Sequence, residues 1–159
     1  MFKIIDNYLE IDEHIKLQTI LELETFPWFF NKGKVIGDTN LFHFQFVHIF
    51  YLNENKNSNF FYCVKPLLDK LKPQSLVRIK ANFNPPSHKL IEYRNHFDQN
   101  FKCKVAIYYV NDNDGYTMIG KEKIESKANR MVLFNSTKLH YGTNSTNCKN
   151  RMVINFNYF

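Results

Sequence analysis

From Ser75 to its last residue the chain breaks into short segments that alternate apolar and polar side chains, and this pattern constrains the fold most. Leu76-Val77-Arg78-Ile79-Lys80-Ala81-Asn82-Phe83 alternates as a strand with one buried face does. Further strands are expected over 102–110, 116–119, 123–126, 130–134 and 151–158. Turn-forming clusters separate them: Asn84-Pro85-Pro86, Asn111-Asp112-Asn113-Asp114-Gly115, Asn135-Ser136-Thr137 and Asn144-Ser145-Thr146-Asn147. Short strands at close spacing predict a mainly β fold, a sandwich or jelly roll with helices packed outside.

The first half reads differently. Asp12 is placed to cap a helix running to about Glu24, with Ile11, Ile15, Leu17, Ile20 and Leu21 as its apolar stripe and Pro27 beyond its end. A second helix is expected after Ser58, through Phe60, Phe61, Val64, Leu67, Leu68 and Leu71, stopped by Pro73. Pro66 inside that run implies a kink or a late start. The length fits one domain over 1–159, with 1–74 as helical support and 75–159 as the β core.

Several functional classes lose ground here. The net charge is +6, but the basic residues are scattered, which reads as a solvated surface rather than a nucleic-acid face. The acidic residues Asp6, Glu10, Asp12 and Glu13 argue against a signal peptide, and no apolar run reaches membrane-spanning length. Cys63, Cys103 and Cys148 form no metal-type spacing and no even disulfide set. A soluble protein of a reducing cytoplasm (a host's, if the source is viral) is the expectation.

His96-Phe97-Asp98 carries the first chemical signal. On an extended chain, residues two apart point the same way, so an imidazole and a carboxylate can approach one ion from one side. Alone, the pair also reads as a surface turn. With His140, beyond several expected strands that can wrap back, it makes two His and one carboxylate. That is the facial triad of non-haem Fe(II) oxygenases, which leaves positions open for a co-substrate and O2. Arg151 opens the last strand, where a guanidinium can bind a carboxylate through two parallel hydrogen bonds or can form an ordinary salt bridge. Arg151, Val153, Asn155 and Asn157 share one face of that strand, and Met152, Ile154, Phe156 and Tyr158 the other. The second face reads as core. The first, with a charge and two amides, reads as the lining of a polar pocket.

In the order Leu76–Phe83, His96-Phe97-Asp98, Val105-Ala106-Ile107-Tyr108-Tyr109-Val110-Asn111, Asp114-Gly115-Tyr116-Thr117, Asn129-Arg130-Met131-Val132-Leu133-Phe134, His140 and Arg151 to Phe159, the chain resembles the 2-oxoglutarate/Fe(II)-dependent oxygenases of the prolyl-4-hydroxylase-like branch. Phe46-Val47-His48-Ile49-Phe50-Tyr51 and the cluster Phe26-Pro27-Trp28-Phe29-Phe30 look like those of short viral or bacterial members.

The resemblance implies a double-stranded β-helix, the cupin-like jelly roll. It implies Fe(II) held by His96, Asp98 and His140, with 2-oxoglutarate as co-substrate and O2 as oxidant. Arg151 and Tyr109 then meet the distal carboxylate of 2-oxoglutarate, and Thr117 lines its pocket, although Asp114-Gly115-Tyr116-Thr117 replaces the family's glycine pair. Asn155 faces the iron and Asn157 the substrate. Nucleic-acid demethylases of this superfamily carry in the last strand an Arg, an Asn two residues on and a second Arg, and Val153 and Asn157 stand where the latter two would fall, so nucleic acid is disfavoured as a partner. Halogenating relatives lack the carboxylate that Asp98 supplies, so hydroxylation is expected. The substrate stays open between a peptide residue, as in prolyl hydroxylation, and a small metabolite. Lys80, Asn82, Arg94 and the loop 111–115 are candidates for its rim, against a plain reading as solvated residues. His14 is expected on a helix surface. The rival from another class is a non-catalytic jelly-roll module that binds a metal or ligand.

Overall fold

The computed structural model describes residues 2–35 and 37–159. Its chain order is β1 (Lys3–Ile5), α1 (Ile11–Leu21), β2 (Phe29–Asn31), β3 (Gln45–Leu52), β4 (Asn55–Lys56), a 3-10 turn (Phe61–Val64), α2 (Lys65–Leu71), β5 (Leu76–Asn84), β6 (Lys104–Tyr109), β7 (Tyr116–Ile119), β8 (Glu122–Glu125), β9 (Arg130–Asn135), β10 (His140–Gly142) and β11 (Arg151–Tyr158). The larger sheet runs β1-β9-β6-β11-β5-β3-β2, with β4 paired to β3, and the smaller runs β10-β7-β8. All the pairings are antiparallel. Two facing antiparallel sheets with helices on the outside are the jelly roll that the alternation predicts.

Period 2 sorts the large sheet into two cores. Met152, Ile154, Phe156 and Tyr158 of β11 join Ala106 and Tyr108 of β6 and Leu17, Leu21, Val64 and Leu67 of the helical layer in one cluster. Val105, Ile107, Tyr109 and Val153 point the opposite way, toward Ile119 and Ile124 of the small sheet. The central strands are therefore apolar on most of both faces. That leaves the polar residues of their inner face as the exception to explain.

Two expectations need correction. Residues 1–74 are not only helical, because β1, β2, β3 and β4 lie there, and β3 pairs with β5 to widen the large sheet. The helix α1 also turns a different face inward. His14, Leu17 and Leu21 are buried, while Ile11 and Ile15 are 63% and 53% exposed. Positions 14, 17 and 21 fall on one helical row, and 11 and 15 lie to its side. The buried His14 meets the Tyr108 hydroxyl through Nδ1 at 2.7 Å, and Tyr108 donates to Asn129 Oδ1 at 3.0 Å. Asn129 also exchanges hydrogen bonds with the backbone of Leu9, so the network ties the start of α1 to the sheet. The second helix starts late, as Pro66 implies, with that proline in its first turn.

Burial pushes the pKa of both His14 and His48 below the ordinary histidine value of 6.5. His48 is held neutral between the Pro27 carbonyl on Nδ1 and Ser58 Oγ on Nε2. As pH falls below 6.5 the unfolded chain gains protons that the folded chain does not, so folding stability declines with acidification. Melting temperature is expected to fall more steeply from about pH 6.5 downward than between about pH 8 and 7. His48→Asn should shallow that slope.

Candidate active site

Four strands bring the polar residues together. On β5, Arg78, Lys80, Asn82 and Asn84 share one face, and on β11 Arg151, Val153, Asn155 and Asn157 face the same side. The register sets them in cross-strand pairs: Asn84 opposite Arg151, Asn82 opposite Val153, Lys80 opposite Asn155 and Arg78 opposite Asn157. The small sheet supplies Thr117 from β7, with His140 and Gly142 from β10, which pairs with β7. His96 lies outside the named strands but bridges His140 through two backbone hydrogen bonds of 3.0 and 3.1 Å. Apart from Arg78 and Asn157, these residues line a cavity between the sheets, joined by Asp98, Tyr93, Ile107, and Lys34 and Gln45 from the first half of the chain.

At one end of the cavity the ligand-type atoms of His96, Asp98 and His140 lie within 4.8 Å of one another. His96 Nε2 is 3.8 Å from Asp98 Oδ1, and His140 Nε2 is 3.9 Å from Asp98 Oδ2. Each ring has its Nδ1 on a backbone carbonyl, that of Arg94 for His96 and that of Lys138 for His140, both at 3.1 Å. A carbonyl accepts only, so Nδ1 carries the proton and the Nε2 lone pair faces the carboxylate. This is the outer arrangement that metal-binding histidines use. His140 Nε2 is buried and has no hydrogen-bond partner. Two lone-pair nitrogens and a carboxylate converging at this separation fit a divalent ion that takes nitrogen and oxygen ligands.

Asp98 is steadied from behind. Arg78 donates to Oδ1 and Asn157 Nδ2 to Oδ2, each at 3.1 Å. Burial alone raises a carboxyl pKa, but His140, Arg78, His96 and Asn157 together outweigh it and hold Asp98 below the usual value. For His96 burial works in the other direction and, with His140 beside it, lowers the pKa. Both directions favour the ligand forms, a carboxylate and a neutral imidazole. Asn157 is fully buried against Asp98 and Gln99 and is absent from the cavity lining, so its place is behind the carboxylate rather than on a substrate.

At the other end Arg151 is buried, with 3% exposure, and among the described residues no carboxylate pairs with it. Its Nε donates to Ser126 Oγ at 2.8 Å, Nη2 to Thr117 Oγ1 at 2.9 Å, and Nη1 to the Thr143 carbonyl at 3.3 Å. The guanidinium lies 5.7 Å from the Tyr109 ring centre, and the buried Tyr109 hydroxyl sits beside Thr117 without a well-formed hydrogen bond among the described residues. Burial pushes the Tyr109 pKa up and opposes the Arg151 charge. Lys34 Nζ donates to Gln45 Oε1 at 2.8 Å and to Asn84 Oδ1, and it sits 4.0 Å from the Tyr93 ring centre. Burial, with Arg151 and Lys80 nearby, pushes Lys34 well below the usual lysine pKa.

All five buried side-chain nitrogen or oxygen atoms without a partner, among the described residues, lie at or just behind this cavity: Arg78 Nε, Asn82 Oδ1, Tyr109 OH, His140 Nε2 and Asn155 Oδ1. Such atoms are few in native proteins and gather where a ligand completes them. Of the rim candidates, Lys80 and Asn82 line the cavity, whereas Arg94 and the loop 111–115 are not among its lining residues.

Gly115 shows how tightly Arg151 is seated. A Cβ there would come within 2.4 Å of the Asn144 carbonyl oxygen and 2.5 Å of Arg151 Cδ. The backbone oxygen cannot swing aside, so Gly115→Ala has to displace the start of β7 or the arginine. Overpacking of this kind costs about 1–3 kcal/mol. The expected result is a melting temperature lower by roughly 2–4 °C for each kcal/mol lost, read by thermal denaturation.

Arg78, Lys34, Gln45 and Tyr93 escape the sequence reading. Arg78 had a signal, since it stands in the same alternating row as Lys80 and Asn82. Lys34 and Gln45 had none, because their approach to the cavity depends on the pairing of β3 with β5.

A mainly β double-stranded fold with two His and one carboxylate between its sheets is the architecture of the 2-oxoglutarate/Fe(II) oxygenases. Solved structures agree on the fold. A prolyl hydroxylase from Trichoplax adhaerens, in complex with a hypoxia inducible factor oxygen degradation domain peptide fragment, superposes with a TM-score of 0.63 at 18% identity, over 99% of this chain and 83% of that one. A prolyl-4-hydroxylase from Pseudomonas putida gives 0.62 at 12%, over 99% and 91%. An oxidoreductase of the 2OG-Fe(II) oxygenase family from Burkholderia pseudomallei gives 0.65 at 10%, over 99% and 84%. No protein-family model matches the sequence, and no curated protein matches it. The fold is thus that of the 2-oxoglutarate/Fe(II) oxygenases, prolyl hydroxylases among them.

Proposed function

We propose that the protein is an Fe(II)- and 2-oxoglutarate-dependent dioxygenase that hydroxylates a C–H bond of a peptide residue or small metabolite. One observation carries this reading: three metal-type ligands and a buried guanidinium without a carboxylate line opposite ends of the same cavity. His96, Asp98 and His140 would hold the ion, and Arg78 and Asn157 would keep the carboxylate oriented. Arg151 would receive the distal carboxylate of 2-oxoglutarate through a charge-assisted pair. Thr117 would lie beside it, and the free Tyr109 hydroxyl would supply a further donor. Fe(II), when bound, supplies the activation of O2 that couples oxidation of 2-oxoglutarate to oxidation of the substrate.

The rest of the work belongs to the chain. The two Nδ1–carbonyl bonds fix the ligand rings, and the apolar residues Ile107 and Val153 wall the cavity against bulk water. Calorimetry under nitrogen tests the proposal: 2-oxoglutarate should bind one-to-one to Fe(II)-loaded protein and far more weakly to metal-free protein. Binding that is absent, or indifferent to the metal, leaves only a ligand-binding jelly roll.

A further inference from the structure

Lys80 has no role in the account so far. It projects from β5 into the cavity, next to the cluster at Asp98, and among the described residues it makes no hydrogen bond and no ion pair. Its neighbours are uncommitted as well. Asn82, on the same face of β5, and Asn155, directly opposite Lys80 on β11, are both buried, and each has a carboxamide oxygen without a partner. One cation and two free carboxamides thus converge from adjacent strands at the metal-binding end.

The charges of the proposed complex sharpen the point. Fe(II), the Asp98 carboxylate, a 2-oxoglutarate dianion, Arg151 and Arg78 together carry one net positive charge, and Lys80 adds a second. Lys34 is satisfied by two amide oxygens and driven toward its neutral form. Arg78 is matched to Asp98 at 3.1 Å. Lys80 is left without an ion pair among the described residues. Lys80 is half-buried at the cavity, and nothing in the sheet requires a cation there. In the proposed complex the co-substrate would commit one carboxylate to the metal end and the other to Arg151, which leaves none for Lys80.

We propose that Lys80 receives a carboxylate of the substrate, with Asn82 and Asn155 meeting its other polar groups, and that the substrate is a small polar carboxylic acid of the kind free amino acids represent. This rests on the oxygenase reading and names the substrate class for it. The carboxamides can accept an N–H or O–H from the substrate and donate to its carboxylate, whereas a neutral prolyl segment in a peptide offers Lys80 carbonyl acceptors but no opposite charge.

The test uses the full chain loaded with Mn(II) and 2-oxoglutarate, which holds the complex without turnover. Common L-amino acids, their primary amides, acetyl-Pro-amide and acetyl-Glu-Pro-amide are compared by thermal shift and then by calorimetry. At least one free acid should bind roughly tenfold or more tightly than its own amide, as loss of a charge-assisted pair implies. Lys80→Met should abolish that discrimination and keep 2-oxoglutarate affinity within about twofold of wild type.

The proposal is overturned if acids and amides behave alike, if only a peptide binds, or if the discrimination survives in Lys80→Met. It is also overturned if Lys80→Met weakens 2-oxoglutarate as Arg151→Met does, since Lys80 would then anchor the co-substrate. Failure of wild type to bind Mn(II) and 2-oxoglutarate at all is a separate result, and it removes the oxygenase reading itself.

Discussion

Replacing His140 with alanine is expected to weaken Fe(II) binding by more than about a hundredfold, the upper range for losing even an outer-shell partner of a metal ligand. Its Nε2 is buried, faces Asp98 Oδ2 at 3.9 Å and has no alternative partner, so nothing nearby can take its place. The backbone that carries it is held independently, by pairing of β10 with β7 and by the bridge to His96. The variant should therefore fold, with near-ultraviolet circular dichroism close to wild type, while anaerobic calorimetry shows Fe(II) binding lost. The ring also packs on Phe134 at 5.0 Å and on His96 at 4.6 Å between centroids, so a modest fall in melting temperature accompanies the loss. Unchanged Fe(II) affinity in a folded variant would remove His140 from the metal site.

Arg151→Met separates the two ends of the cavity. It should leave Fe(II) affinity nearly unchanged and cost 2-oxoglutarate about 2–5 kcal/mol, the range for truncating one partner of a buried hydrogen-bonded charge pair. That is about 30-fold to several thousandfold in Kd. Methionine fills much of the space of the arginine stem, so packing against Gly115 and Gly142 is kept while the charge is removed. Succinate, which shares the distal carboxylate but lacks the keto group, should lose affinity in parallel. If the variant bound 2-oxoglutarate as wild type does, the distal carboxylate would have to be held elsewhere in the cavity.

The legible parts of this protein are those in which local chemistry and final position coincide. Strands β5, β6, β7, β8, β9 and β11 follow alternation and turn residues, and the expected limits of β7 and β11 match the structure. Arg151, His96, Asp98 and His140 are each suggested by residue type and position along an extended chain, and the structure brings all four to one cavity.

What escaped depends on tertiary pairing. The three-residue strands β1 and β10 are too short to show a period, and β3 carries aromatics on both of its faces. The burial of His14 could not be read from an α1 stripe in which Ile11 and Ile15 are the more apolar choices. Only the Tyr108 hydroxyl and the sheet behind it select the other face. Asn157 points the predicted way along β11, yet Asp98 intervenes and takes its amide.

The most direct test of the central claim is optical. Fe(II) followed by 2-oxoglutarate is added to purified protein under nitrogen, and the visible spectrum is followed for the weak metal-to-ligand charge-transfer band of a chelated 2-oxo acid. The account predicts a band that saturates at one 2-oxoglutarate per iron in wild type, is missing in His140→Ala, and needs much more 2-oxoglutarate to form in Arg151→Met. A folded, iron-loaded wild type that develops no band would contradict it.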